Sequence, residues 1–178
     1  MNSAQTIITM GALSLLTFAV FNMNRLLSES DISLAQNRYK LEALSLMTSY
    51  MERAAMHYFD ESTTDTTSSK LVGDFSATGN LGFDGNDYGI IDDFDDYHGL
   101  VLADTGRSGV IYNVAFKVEY VKLQGGSFVP SSDKEYHKRM NIKIYDAYDP
   151  PLIYLYKNNV KVRDTLRLSF VHSYWFYN

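Results

Sequence analysis

At 178 residues the chain has room for one globular body and one accessory segment, not for two full domains. Its 14 Tyr and 10 Phe against 3 Pro suit a regular, strand-rich body rather than a disordered chain, and the absence of cysteine excludes disulfide staples and thiolate metal sites. Net charge is −5, with Lys and Arg scattered among acids, so the basic stripe of a nucleic-acid binder is missing and no nucleic acid is expected as a partner.

The first element is MNSAQTIITMGALSLLTFAVFNMN, which reaches Arg25 before any charged side chain. As a helix rising about 1.5 Å per residue it spans roughly 36 Å, enough to cross a hydrocarbon core of about 30 Å. No basic residue precedes the apolar run, and Asn24-Arg25-Leu26-Leu27 follows it without a small-residue exit, so the segment reads as retained rather than cleaved. A buried core helix of ordinary length shows a polar face; here Thr, Ser and Asn are the only relief.

The helical pattern then continues without Gly or Pro. Leu34, Leu41, Leu44, Met51, Ala55 and Tyr58 recur at steps of three, four or seven, with charges around the remainder, which predicts an amphipathic continuation to about residue 59. The whole helix would be on the order of 80 Å long. ESTTDTTSSK, Glu61 to Lys70, competes with the helical backbone and ends it. The chain therefore divides into a helical stem, residues 1–59, with a membrane or filament-core segment at 1–24 and an amphipathic half at 25–59, and a β-rich head at 60–178.

Residues 73–99 of the head, dense in Gly, Asn and Asp, read as one long ordered loop with a binding or packing role. Starting at Asp84, DGNDYGIIDDFD places acid or amide oxygens at loop positions one, three, nine and twelve (Asp84, Asn86, Asp92, Asp95), with Gly89 at six. That imitates an EF-hand calcium loop, but Tyr88 stands at position five, a short Asp at twelve and no helix follows, so a metal-free network of Asx turns is the reading the residues favour. Calcium is the one cofactor this stretch suggests.

Alternation then takes over. VIYNVAFKVEYVKL puts Tyr112, Val114, Phe116, Val118 and Tyr120 on one face; HKRMNIKIYDAY does the same with Met140, Ile142 and Ile144; LIYLY gives a short third strand; and TLRLSFVHSYWFY aligns Leu166, Leu168, Phe170, Tyr174 and Phe176. Short links favour an antiparallel meander. Its oily face needs a cover, and the amphipathic half of the stem supplies one, through Leu44, Met47 and Met51 against Phe116, Val118, Ile142, Leu168 and Phe170. The fold class is α+β.

Catalytic signals are weak. His57, His98, His137 and His172 are far apart without metal-ligand spacing, and His172 sits on the apolar face of the last strand as a core residue. No nucleophile elbow, P-loop or dinucleotide fingerprint occurs, and the carboxylates of DDFDDYHG fit a solvated turn better than an acid/base pair, so an enzyme is not expected.

In this order of elements the chain resembles a type IV pilin or pseudopilin: an apolar half-helix, a continuous amphipathic half, a Gly/Asp-rich loop and an antiparallel sheet on the helix. The resemblance implies a structural subunit of an extracellular helical filament at the cell surface, built by bundling of the apolar helices of its own copies. It implies a membrane-inserted pool before assembly, with the inner membrane and an assembly machinery as further partners. The assembly core would comprise Gln5, Ile7, Ile8, Gly11, Leu15, Phe18 and Phe21. Gln5 stands where the family carries Glu at the fifth mature position, and Asn22 where it often has a helix-loosening Pro. The alternative is a single membrane-anchored exported protein, or a minor pseudopilin of a secretion system, whose head binds a partner.

Overall fold

The computed structural model describes residues 3–64, 68–83 and 89–175. One helix, α1 (Ser3–Met56), precedes seven strands: β1 (Val101–Thr105), β2 (Ile111–Gln124), β3 (Ser127–Pro130), β4 (His137–Asp146), β5 (Tyr154–Lys157), β6 (Val160–Arg163) and β7 (Leu166–Ser173). The fold is α+β, an apolar N-terminal helix followed by an antiparallel sheet. By contact the chain falls into two compact units, Met1–Arg38 and Tyr39–Asn178.

α1 runs unbroken because nothing between Ala12 and Val72 removes a backbone donor or loosens the chain. It stops at Met56, three residues short of the expected end. Phe59 turns inward to pack on Phe75, ring centroids 5.0 Å apart, and the buried Asp60 caps a short 3₁₀ turn at Glu61–Thr63 by accepting from Ser62 N at 3.2 Å.

In the second unit the sheet runs β1-β2-β4-β7, with β3 paired to the far end of β2 and every pairing antiparallel. The faces follow the alternation: Tyr112, Val114, Phe116 and Val118 of β2 and Met140, Ile142 and Ile144 of β4 are buried together. The helix residues that meet them are Ala43, Met47, Tyr50 and Ala54, spaced four, three and four. This corrects the expected stripe by one position. Met47 is in the core and Met51 packs at its edge, but Leu44 is 46% exposed, and Leu34 and Leu41 are exposed too. The alanines decide it: two small side chains let the backbone of α1 lie close to the sheet, where a row of leucines would hold it off. Of the strand partners, Phe116, Val118 and Ile142 are buried, and Leu168 and Phe170 pack half-buried at the edge.

Polar contacts fix the helix in register with β2. Glu42 accepts from Ser108 N and Ser108 Oγ, both at 2.5 Å, and from the Tyr112 hydroxyl at 3.0 Å, while the Tyr50 hydroxyl donates to Asp104 at 3.0 Å. The approach is close: a Cβ on Gly106 would fall 2.5 Å from Glu42 Cδ and 2.8 Å from the Tyr112 ring, so a larger residue there would have to move the Glu42 carboxylate and that buried ring.

The expected meander is corrected at its third strand. LIYLY does not lie between β4 and β7, which pair directly; its last three residues, with Lys157, form β5 of a separate two-stranded ribbon with β6, a strand not anticipated, as β1 and β3 were not. The cause is Asp146, buried at the end of β4, whose carboxylate accepts from Tyr148 N, Leu152 N and Ile153 N at 3.1 to 3.2 Å and so folds the chain out of the sheet. Asn158 and Asn159, both left-handed at φ 51° and 60°, close the ribbon.

Candidate functional site

Two features of the chain carry chemistry or assembly potential: the apolar half of α1 and a buried ionic cluster in the head.

In the first unit, Ile7, Ile8, Leu15, Phe18 and Phe21 are all exposed, Leu15 at 73%, and Gly11 has open space where a Cβ would stand. Gln5 is exposed as well. Successive residues turn by about 100°, so Ile7, Ile8, Met10, Leu13, Leu15, Leu16, Phe18 and Phe21 surround the axis instead of forming a stripe. The hydroxyls among them are satisfied internally. Thr6 donates to Ser3 O (2.9 Å), Thr9 to Gln5 O (3.0 Å), Ser14 to Met10 O (2.9 Å) and Thr17 to Leu13 O (2.8 Å). A hydroxyl bonded back to its own helix enters an apolar medium at little cost, so these four do not interrupt the apolar surface. The helix is long and apolar enough to cross a membrane by length and composition, and none of its most apolar window is buried.

Beyond this segment, on the helix surface turned away from the core, Leu41, Leu44, Ser45, Thr48, Ser49 and Glu52 line a shallow open groove. The leucines assigned from the sequence to the sheet contact are found here.

In the head, Lys138 is inward-facing on β4 and fully buried. Its Nζ donates to Asp60 Oδ2 at 2.7 Å and to Phe59 O at 2.9 Å, and pairs with Asp95 Oδ1. Asp95 and Asp96, on the 3₁₀ turn that follows Phe94, and Asp93 just before it are buried beside it, and Phe94 N bonds Tyr58 O at 2.8 Å, which lays this segment along the end of the helix. Asp93 Oδ1 accepts from Asp95 N (2.8 Å) and Asp96 N (3.0 Å), and Asp96 Oδ2 from Asp92 N (3.0 Å) and Asp93 N (3.2 Å). Burial opposes ionisation at Asp60, but the Lys138 ammonium and the donors of Ser76 and Ser62 outweigh it and hold the carboxyl below its ordinary range. Burial pushes Asp93 and Asp95 upward against the pull of Lys138; Asp95 and Asp60 raise Asp93 further, and Asp60 and Asp96 raise Asp95, because one ammonium serves several acids.

The calcium expectation is altered here. Asp95 turns its carboxyl onto Lys138, so a cation there would have to displace a buried ammonium, and Asp84 and Asn86 lie outside the described residues. Asp92 is exposed. Among the described residues no group of three or more His, Asp or Glu is placed to hold a metal. The histidines stay apart in the head: His98 Nδ1 lies 2.7 Å from Val118 O, His137 Nδ1 lies 2.7 Å from Ser173 Oγ, and His172 stacks on Phe94 at 4.9 Å. Burial, assisted by Lys138, pushes the His172 imidazole below its usual value, as a core histidine requires.

The Lys138 cluster was missed in the sequence, although a signal exists. In β4 the inward parity that holds Met140, Ile142 and Ile144 also holds Lys138 and Asp146, two charged residues at core positions. Compared with protein-family models, with curated proteins and with solved structures, the chain gives no significant match.

Proposed function

We propose that the chain is a structural subunit of a type IV pilus-like helical filament, assembled by bundling of its N-terminal apolar helices and drawn from a membrane-inserted pool by an assembly machinery. The observation that carries this is the all-round apolar surface of residues 5–21 on an unbroken helix, with its hydroxyls bonded back. A bilayer and a bundle of identical helices both remove such a surface from water, so the helix can pass from one to the other.

A lone anchor would need only the first window. Counted along the chain, Leu34, Leu41 and Leu44 lie ten to twenty residues past Asn24, roughly 15 to 30 Å of helical rise, and a bilayer holding the first segment does not cover them. Neighbouring helices do. Negative-stain microscopy of sheared surface material, with mass spectrometry of its subunits, tests the reading: filaments containing this chain support it, whereas a chain confined to the membrane fraction supports the anchor.

Gln5 offers a finer test. Inside a bundle its carboxamide needs a partner on a neighbouring chain, and the family resemblance offers a terminal amine. Gln5→Glu, which adds a counter-charge, is expected to assemble at least as well as the parent, and Gln5→Leu worse, read as filament mass per cell at equal expression. If Gln5→Glu assembled worst of the three, that pairing would not operate here.

A further inference from the structure

Lys138 combines features that an ordinary ion pair does not need. Its ammonium is fully buried, and the rings of Phe59 and Tyr120 stand over it at 4.6 and 5.2 Å from their centroids. Two carboxyls converge on it, and they are not equivalent. Asp60 is held as an anion by Ser76 N at 2.9 Å, Ser62 N at 3.2 Å and Ser62 Oγ at 2.9 Å, with the Tyr120 hydroxyl at 3.4 Å. Among the described residues no such cradle of donors serves Asp95; its Oδ1 meets the amine itself.

We propose that Lys138 Nζ and Asp95 Cγ condense to a side-chain amide, formed by the folded chain itself with loss of one water. The step balances without any co-reactant. A proton passes from the ammonium to the Asp95 carboxylate, giving a neutral amine beside a neutral acid. The nitrogen lone pair then adds to Cγ and the N–C bond forms. Asp60 Oδ2, 2.7 Å from Nζ, accepts a proton from the nitrogen and returns it to the departing oxygen, so that the C–O bond breaks and water leaves. The cleft beside Asp95, lined by Ser76, Asn80 and Asp96 among others, has about the room of one water and gives it a way out. In the product the amide N–H donates to Asp60, and one buried ion pair has been removed. Burial raises the Asp95 carboxyl, which favours the protonated form the reaction requires.

The bond would close a covalent loop between Asp95 and Lys138, 43 positions apart, tying the segment at the end of the helix to a central strand of the sheet. A chain with no cysteine would thereby gain a permanent cross-link. The inference concerns the head alone and stands whether or not filaments form.

The test is peptide mapping of the full-length chain, purified in detergent, shown to be folded by circular dichroism, and incubated at neutral and mildly acidic pH before digestion under denaturing conditions. The expected result is a joined peptide pair containing Lys138 and Asp95, lighter than its two parts by one water, and absent from Lys138→Arg and Asp95→Ala. Asp60→Asn is expected to form it more slowly, by about 10²-fold or more, through loss of the proton acceptor. Folded parent protein without the joined pair, or with Lys138 joined to Asp60 instead, would overturn the assignment.

Discussion

Leu15→Asp is expected to abolish filaments while the head folds as before. Leu15 is 73% exposed in the single chain, so the substitution removes nothing from the core built by Met47, Phe116 and Ile142. In a bilayer or a helix bundle the same carboxylate has neither water nor partner. An Asp at the centre of a membrane helix costs about 3 kcal/mol on insertion scales, roughly a hundredfold in partition, and a filament repeats the penalty at every subunit. Phe18→Asp should behave alike. The measurement is filament mass in sheared material beside the circular dichroism of the detergent-purified chain. Normal filament yield from Leu15→Asp would mean that this helix is not their core.

Phe116→Ala is expected to cost the head about 3 to 5 kcal/mol, the range for deleting a large aromatic side chain from a core. Phe116 is 4% exposed, and its ring meets Tyr50 of α1 and Tyr97 of the acidic turn, each at a centroid distance of 5.2 Å. One side chain thus joins the helix, β2 and the segment that carries Asp95. Denaturant unfolding of the full chain, followed by near-UV signals from the head, reads the loss. A change under about 1 kcal/mol would show that the surrounding rings collapse into the cavity.

How far the fold was legible depends on the kind of signal. β2 could be read residue by residue, since Tyr112, Val114, Phe116, Val118 and Tyr120 alternate with Asn113, Ala115, Lys117 and Glu119 and all five are buried. α1 was legible in extent but not in rotation. Large apolar residues lie on both of its sides in the second half, and the sheet selected the side with Ala43 and Ala54, where close approach is worth more than the bulk of Leu41 and Leu44. The ribbon was obscured because β6 reads VKVR, alternating like a sheet strand, yet all four of its residues are exposed. What sends it out of the sheet is Asp146, whose carboxyl collects three backbone N–H groups, a constraint that appears only once the backbone is bent. Lys138 illustrates the reverse. Its position was predictable from parity, but its partners Asp60 and Asp95 lie 78 and 43 residues away, and no local pattern links them.

The ribbon has a consequence for how the protein can change over generations. The chain leaves the buried framework after Ile153 and regains it at Leu166, with Asp164 N on Ile153 O at 2.9 Å closing the base. Between those points Leu155, Tyr156, Val160 and Val162 are exposed and support nothing beneath them. Substitution there, or added residues at the Asn158–Asn159 turn, would alter what the head presents without disturbing how it folds. Selection for stability leaves this stretch free to diversify, and in a polymer of the proposed kind each variant would be displayed once per subunit along the whole fibre.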